Sequence, residues 1–118
     1  SIINISSIQG ISAPKFEHYK GTKMSSSLEY TLIKHSLNGL TKYLAKYLAN
    51  SRVRFNNVVI GGIKNNQDKK FVSNYRKSCL SKGLLDAEDI SGTIEFLISD
   101  SSKYINGQNI VIDDGWSL

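Results

Sequence analysis

Cysteine, proline and long apolar runs are scarce in this sequence of 118 residues, which contains one Cys, one Pro and one Trp. The single cysteine, Cys79, excludes an intramolecular disulfide framework and a zinc site built from several cysteines. Neither His18 nor His35 has a partner at the spacing of metal ligands, so we expect no metal site. No apolar run approaches the roughly 18 residues of a membrane span, so we expect no transmembrane helix. Cytoplasm is the default compartment for such a chain.

Acidic residues are outnumbered, with 10 Asp and Glu against 15 Lys and Arg, which gives a net charge of +5. A basic balance raises the question of nucleic-acid binding. The basic residues, however, are scattered from Lys15 to Lys103. Scattered lysines are typical of a solvated surface, so we expect no nucleic-acid partner. The length and a hydrophobic content of 40% are typical of one ordinary globular domain at most.

Apolar patterning predicts strands and helices in alternation. The predicted strands are residues 1–6, 53–60 and 110–112, and the predicted helices are residues 28–49, 71–80 and 87–99. Residues 64–70 are expected to be a polar loop. This alternation predicts an α/β fold in which parallel strands are joined by crossover helices.

The first predicted strand begins within an apolar run of Ile2, Ile3 and Ile5, with no initiator methionine before it. Such a run is typical of a strand that is buried on both faces. Three strands also make a thin sheet, whose faces these helices would cover only in part. We therefore expect the chain to be one half of a larger α/β domain.

The longest predicted helix begins at Leu28, where Ser26 or Ser27 can act as the N-cap. Glu29 suits the positive end of the helix dipole. Apolar residues then recur at steps of three and four and form one apolar face of the helix. They are Ile33, Leu37, Leu40, Leu44 and Leu48.

Tyr30 and Lys34 lie four residues apart near the start of this helix, so their side chains share one face, with Cβ atoms roughly 5–6 Å apart. The ammonium group of a lysine stabilises the phenolate form of a neighbouring tyrosine. Such a tyrosine can exchange a proton with an alcohol or a carbonyl group near neutral pH. The spacing alone leaves an ordinary exposed pair as the alternative.

Small residues follow the first two predicted strands: Ser6 and Ser7 end the first, and Gly61 and Gly62 follow the second. In open α/β sheets, ligands bind beyond the carboxyl ends of the strands. A serine hydroxyl there can hold a substrate oxygen, and glycines let a flat ligand approach the backbone. We therefore predict one crevice between the strand ends and the start of the long helix.

Five blocks, in order, resemble the short-chain dehydrogenase/reductase family over essentially the whole chain. They are similar to its catalytic-serine strand, active-site helix, nicotinamide-side strand and loop, late helix, and closing strand with tail. In this sequence the blocks are SIINISSIQG, YTLIK with LTKYLA, VRFN through IGGI, LDAEDI with FL and SD, and YINGQNIVIDDGW. The resemblance implies the C-terminal catalytic half of a Rossmann-type, doubly wound parallel sheet, with three strands in residues 1–118. The family's Gly-rich phosphate loop and Asn-Asn-Ala-Gly block are not among these residues.

The resemblance also implies roles for individual residues. Ser7, in the family's Ser-x-x-Gly pattern, would hold and polarise the substrate oxygen, while Ser6 would be structural. Tyr30 would be the general acid/base and would contact the cofactor, and Lys34 would assist Tyr30 and hold the nicotinamide ribose. Four further residues would line the nicotinamide: Ile60, Gly61, Gly62 and Ile63.

By the same resemblance, the parent protein would be an oxidoreductase that uses NAD or NADP. It would transfer a hydride between the nicotinamide and a small-molecule carbonyl or alcohol. A homodimer or homotetramer is expected, since the active-site helix and the closing strand form the family's subunit contacts. Trp116 would pack in a subunit contact or line the substrate site, and Cys79 would lie in the core. The alternatives are a non-catalytic Rossmann-like scaffold and an inactive fragment.

Residues 14–27 form an insert that lengthens the interval between Ser7 and Tyr30 relative to the family. The insert contains a second candidate pair, Tyr19 and Lys23. Gly21 lies inside that pair and disfavours a helix, so we prefer Tyr30. The insert is either a substrate-binding element or a surface excursion. It resembles that of family members linked to flagellin modification and surface-sugar biosynthesis, which implies a sugar or sugar-nucleotide substrate.

Overall fold

The computed structural model describes all 118 residues and contains three strands and three α-helices. The strands are β1 (Ile2–Ser7), β2 (Phe55–Ile60) and β3 (Asn109–Ile112), and the helices are α1 (Leu28–Tyr47), α2 (Lys69–Arg76) and α3 (Glu88–Ile98). Short 3₁₀ turns lie at Ile8–Gly10, Phe16–Tyr19 and Asp100–Ser102. No helix has the length and apolar character that a bilayer span requires.

The three strands form one parallel sheet in the order β1–β2–β3. This confirms the prediction of an α/β fold with parallel strands and crossover helices. In the register of β1 and β2, Ile2 lies opposite Phe55 and Ser7 lies opposite Ile60. The carboxyl ends of the two strands therefore open side by side at one edge of the sheet.

Helices cover both faces of β2. Neighbouring residues of the strand point to opposite sides and therefore pack against different helices. On one side, Val59 joins a cluster with residues of α2 and the C-terminal tail, and α1 packs alongside at Asn57. On the other side, Val58 and Ile60 pack with Ile90 and Leu97 of α3. Cys79 is buried in the first cluster, as predicted.

The N-terminal part of β1 is more exposed than its apolar run predicts. Ile2 and Ile5 are 44% and 48% exposed, and only Ser6 and Ser7 at the end of the strand are buried. The prediction of a strand buried on both faces is therefore not met within residues 1–118. Within these residues β1 pairs with β2 alone, whereas every residue of the central strand β2 is buried.

α1 turns a polar side toward the sheet. Thr41 is its one fully buried residue, while Ile33 and Leu40 are 60% and 46% exposed. Of the five residues that form the apolar face of the helix, these two point away from the sheet and the other three are half-buried. Apolar spacing identifies a face of the helix without identifying what that face packs against.

A buried hydrogen-bond network around Asn57 joins α1 to the sheet. Thr41 donates to Asn57 Oδ1 at 2.6 Å and accepts from Asn4 Nδ2 at 2.8 Å. Asn57 Nδ2 donates to Asn38 Oδ1 at 3.0 Å and to Asn109 Oδ1 at 2.7 Å. A buried amide without hydrogen-bond partners lowers the stability of the fold, so the polar side of α1 is the one that packs against Asn57.

Capping explains both the helix start that differs from the sequence prediction and the one that agrees with it. α2 begins at Lys69 rather than at residue 71, because the Asp68 carboxylate accepts hydrogen bonds from the backbone N–H groups of Lys70 and Phe71. α1 begins at Leu28 as predicted, with Ser27 as its N-cap. Both caps satisfy N–H groups that the first helical turn leaves free.

Candidate active site

An open cavity of about 610 Å³ lies at the carboxyl ends of β1 and β2. The structure brings all the candidate residues from the sequence to this one cavity, on β1, on α1 and on the segment after β2. They are Ser7, Tyr30, Lys34, Ile60, Gly61, Gly62 and Ile63. A cavity at the end of parallel strands is the usual ligand position in such sheets.

Tyr30 and Lys34 lie in the first two turns of α1 and point to the cavity. The Lys34 Nζ atom lies 5.6 Å from the centroid of the Tyr30 ring and donates to the Ile5 carbonyl oxygen at 3.0 Å. The bond to Ile5 anchors the lysine on β1. Tyr30 is 43% exposed, so its phenol is open to a ligand.

The start of α1 holds Tyr30 in place. The Ser27 Oγ atom accepts from the Tyr30 backbone N–H at 3.3 Å. Hydrogen bonds from its own backbone N–H and from the Ser27 hydroxyl lower the pKa of Glu29, so this carboxylate stays charged at the positive end of the helix. The cap therefore fixes the turn from which the candidate acid/base projects.

Ser7 is buried at the last position of β1. Its Oγ atom accepts from the Gln9 backbone N–H at 3.2 Å, and its own proton has no protein acceptor. The hydroxyl is therefore fixed in position and still able to donate to a ligand in the cavity. Ser6 instead donates to the Lys34 carbonyl oxygen at 3.3 Å, a contact between β1 and α1.

The packing around Gly10 explains why the Ser-x-x-Gly pattern needs a residue without a side chain at this position. A Cβ atom at this position would lie 2.6 Å from the Lys34 carbonyl oxygen and 2.9 Å from Ser6 Oγ. Only a residue without a side chain allows the turn after β1 to approach the backbone of α1 this closely. The Asn38 side chain also donates to the Gly10 carbonyl oxygen. Gly10 thereby sets the distance between the serine-bearing strand and the helix of Tyr30 and Lys34.

The segment Ile60–Gly61–Gly62–Ile63, here called the glycine wall, closes another side of the cavity. A Cβ atom on Gly61 would lie 3.0 Å from Asp113 Cα, and one on Gly62 would lie 2.5 Å from Leu84 Cδ2. The missing side chains thus make room for the protein core, which presses against both residues. This differs from the sequence argument, in which the glycines make room for a ligand.

Tyr75, on α2, lines the cavity and was not among the site residues predicted from the sequence. Its hydroxyl oxygen accepts from the Gly62 backbone N–H at 2.6 Å, and Tyr75 is 4% exposed. Burial raises the pKa of Tyr75 well above its usual range, so the phenol stays neutral. Nothing local in the sequence indicates a bond from Tyr75 to a loop 13 residues earlier.

The insert lines the cavity through Tyr19 and the three serines at residues 25–27. Gln9 connects it to the site: its Oε1 accepts from Ser26 Oγ at 2.7 Å and from Thr31 Oγ1 at 3.1 Å. Its Nε2 donates to the Tyr19 hydroxyl at 3.5 Å. Tyr19 lies in a 3₁₀ turn and Lys23 lies beyond the cavity, so this second pair does not share a helix face.

His18 links the insert to α2 and the core through a hydrogen bond and ring packing. It is 2% exposed, and its Nε2 atom lies 2.8 Å from Ser78 Oγ. Its ring packs against Phe71, Tyr75 and Trp116 at centroid distances of 6.5, 5.3 and 5.8 Å. Burial lowers the pKa of His18, which keeps the imidazole neutral at physiological pH.

Trp116 lies in this cluster and not in the places that the sequence suggested. It is 2% exposed and does not line the cavity, so it reaches neither a subunit surface nor the substrate site. Lys15, from the insert, donates to the Trp116 carbonyl oxygen at 2.7 Å and lies 4.4 Å from the centroid of its ring. The insert and the C-terminal tail are thus packed together.

Comparison with known proteins places this geometry in a family. A family model described as "Enoyl-(Acyl carrier protein) reductase" matches residues 1–117. A crystal structure of a short chain dehydrogenase from Leptospira borgpetersenii with bound NAD+ superposes with a TM-score of 0.92 at 34% identity, over 99% of this chain and 44% of that one.

Two curated relatives extend the comparison. The chain is 56% identical over 118 residues to the post-translational flagellin modification protein A of Campylobacter coli, covering 100% of this chain and 46% of that protein. It is 31% identical over 123 residues to a 7alpha-hydroxysteroid dehydrogenase of Bacteroides fragilis, covering 100% of this chain and 44% of that protein. The chain thus spans about half the length of the curated relatives it matches. It belongs to the short-chain dehydrogenase/reductase family.

Proposed function

We propose that this chain is the catalytic half of an NAD(P)-dependent oxidoreductase, which transfers a hydride between a nicotinamide cofactor and a carbonyl or alcohol substrate. The observation that carries the proposal is the meeting of Ser7, Tyr30, Lys34 and the glycine wall at one cavity. The bound NAD+ in the Leptospira structure, at 34% identity, supports a nicotinamide cofactor. We propose NAD or NADP without choosing between them.

The residues present fit a nicotinamide cofactor. The glycine wall presents backbone to the cavity because the core fills the space behind it. Ser7 has a hydroxyl proton that no protein group accepts, and Lys34 uses one of its three N–H donors on Ile5. The site therefore offers a flat surface beside free hydrogen-bond donors, and the nicotinamide, when bound, supplies the hydride.

In the proposed mechanism, each of the three polar residues acts on one group. Ser7 donates to the substrate oxygen and holds it beside Tyr30. The Tyr30 hydroxyl gives a proton to that oxygen during reduction and takes one from it during oxidation. The Lys34 ammonium lies 5.6 Å from the centroid of the Tyr30 ring, and its free N–H donors hold the ribose hydroxyls of the cofactor. Ile60, Gly61, Gly62 and Ile63 keep the nicotinamide face in place.

We propose that the cofactor phosphates bind to a further segment of the parent protein, since none of the residues 1–118 forms a glycine-rich phosphate loop. On this proposal, residues 1–118 are the C-terminal catalytic half of one Rossmann-fold domain. The protein acts in the cytoplasm, where nicotinamide cofactors are available.

A polar substrate such as a sugar fits the wall that the insert adds to the cavity. That wall carries Gln9, Tyr19 and the hydroxyls of residues 25–27, which can donate to and accept from substrate hydroxyl groups. The name of the Campylobacter relative, at 56% identity, connects that protein to flagellin modification. We propose the same context for this chain, with a sugar as the substrate class.

We propose that the parent protein is a homodimer or homotetramer that uses the outer face of α1. Leu32, Leu40, Tyr43 and Tyr47 are 46–73% exposed there, and the rings of Tyr43 and Tyr47 are stacked at 5.9 Å. An apolar helix face of this kind marks an interaction surface. Light scattering of the full-length protein should give the mass of two or four subunits, whereas a monomer would contradict the proposal.

Titration of NADH and NADPH into the full-length protein, followed by nicotinamide fluorescence, tests the function. We expect saturable binding of at least one of them, and no turnover by residues 1–118 alone because the phosphate site is missing. Binding of neither cofactor by the folded full-length protein would favour the alternative, a non-catalytic scaffold. Full-length protein that binds cofactor and turns over would exclude it.

A further inference from the structure

We propose that Tyr75 is a positioning residue for the cofactor: its buried hydroxyl fixes the backbone of Gly61 and Gly62 and thereby sets the affinity for the nicotinamide. The inference rests on the proposed function, because it takes the glycine wall as the surface that the nicotinamide contacts. It adds a residue on α2, 13 residues after Gly62, to the machinery of the site.

Hydrogen bonding distinguishes the Gly62 amide from its neighbours in the glycine wall. The neighbouring backbone groups of the glycine wall bond to other backbone: Gly61 N–H donates to Ile112 at 2.8 Å, and the Gly62 carbonyl accepts from Leu85 N–H at 2.8 Å. The Gly62 N–H is different, because its partner is the Tyr75 hydroxyl at 2.6 Å. A backbone donor in the interior that loses its partner is costly, so Tyr75 determines where this amide can lie.

The Tyr75 ring also lies in close contact with both glycines. A Cβ atom on Gly61 would lie 3.1 Å from the Tyr75 hydroxyl oxygen, and one on Gly62 would lie 3.1 Å from Tyr75 Cζ. The phenol therefore supports both glycines from the core side. The backbone cannot retreat from the cavity without displacing the ring, and the hydrogen bond prevents it from moving toward the cavity.

The Tyr75 ring is itself packed between several aromatic side chains. Its ring lies 5.7 Å from Phe71, 5.3 Å from His18 and 6.1 Å from Trp116, onto which it is stacked. His18 belongs to the insert and Trp116 to the C-terminal tail. A ring enclosed in this way keeps its hydroxyl in one place, which is what a positioning group requires.

The substitution Tyr75→Phe in the full-length protein tests the proposal, because it keeps the ring and removes only the hydroxyl. We expect the NADH dissociation constant and the cofactor KM to rise about tenfold, the change that about 1.4 kcal/mol produces. We expect kcat at saturating cofactor to change less than twofold, since Ser7, Tyr30 and Lys34 are untouched. A purely structural role would lower the melting temperature without a selective rise in the cofactor KM. Tyr104→Phe, at a position 90% exposed, is the matched control and should change neither constant.

The outcomes separate this inference from the proposed function. Wild-type protein that binds no dinucleotide would overturn the proposed function. Wild-type protein that binds, with a folded Tyr75→Phe variant of equal affinity, would overturn the role of Tyr75 alone. Should the variant not fold, hydrogen exchange of wild-type protein without cofactor decides: slow exchange of the Gly62 amide supports the role, and exchange at the rate of an exposed amide contradicts it.

Discussion

Replacing Tyr30 with Phe is expected to lower kcat of the full-length enzyme by about 10²–10⁴-fold, the usual contribution of a positioned general acid/base. The substitution removes only the hydroxyl that exchanges the proton with the substrate oxygen. Stability should stay within about 0.5 kcal/mol, because the side chain is 43% exposed and its hydroxyl bonds to no protein group. Steady-state kinetics and thermal unfolding measure the two effects.

Two further variants make the result specific. Tyr104→Phe, at a position 90% exposed and outside the cavity, should keep wild-type kcat. Tyr19→Phe tests the second Tyr/Lys pair of the insert, whose tyrosine also lines the cavity. Wild-type turnover by Tyr30→Phe, together with loss of turnover in Tyr19→Phe, would transfer the acid/base role to Tyr19 and contradict the assignment.

Replacing Gly10 with Ala is expected to damage both the fold and the activity. The new Cβ atom would lie 2.6 Å from the Lys34 carbonyl oxygen, which belongs to the backbone and cannot rotate away. Overpacking of this kind costs about 1–3 kcal/mol of stability. The helix that carries Tyr30 and Lys34 must shift relative to Ser7, and a displacement of about 1 Å can cost about 10²-fold in rate. Chemical denaturation and kcat/KM measure the two losses.

Gly92→Ala is the matched control, since it adds the same methyl group at an exposed glycine of α3, away from the cavity and from the outer face of α1. A Cβ atom at Gly92 meets no atom within 4 Å. Alanine is the better helix former, so this variant should gain up to about 1 kcal/mol of stability and keep its activity. If Gly10→Ala behaves like Gly92→Ala, the close approach at Gly10 does not set the geometry of the site.

The architecture could be predicted from the sequence because its signals are local. Apolar runs marked the strands, three- and four-residue spacing marked the helices, and Ser27 marked the start of α1, which the structure confirms. The position of the cavity also followed, since parallel strands place their carboxyl ends at one edge. The partners of each strand and helix are not local, and there the predictions failed.

α1 shows what the sequence could not predict about packing. The apolar spacing marked one face of the helix, but the side that contacts the sheet is polar, with Asn38 and Thr41 bonded to Asn57 of β2. The spacing of residues on a helix cannot indicate that a buried strand will present an amide. The apolar run of β1 likewise did not indicate that Ile2 and Ile5 are exposed within residues 1–118.

The insert and the glycine wall show the limit for the site. The sequence left the insert open between a substrate-binding element and a surface excursion. Its contacts through His18 to Ser78 and through Tyr19 to Gln9 join residues 60 and 10 positions apart. For Gly61 and Gly62, the sequence indicated that small residues are needed without indicating that Tyr75 lies behind them. Such long-range contacts are fixed only by the tertiary structure.

A crystal structure of the full-length protein with NADH or NADPH bound would show whether this cavity holds the nicotinamide. We expect a nicotinamide ring against Gly61, Gly62 and Ile63, with the Tyr30 hydroxyl and Lys34 Nζ within hydrogen-bond distance of its ribose and the Ser7 hydroxyl facing the substrate space. A dinucleotide bound away from this cavity, or a nicotinamide that contacts neither Lys34 nor the glycine wall, would contradict it.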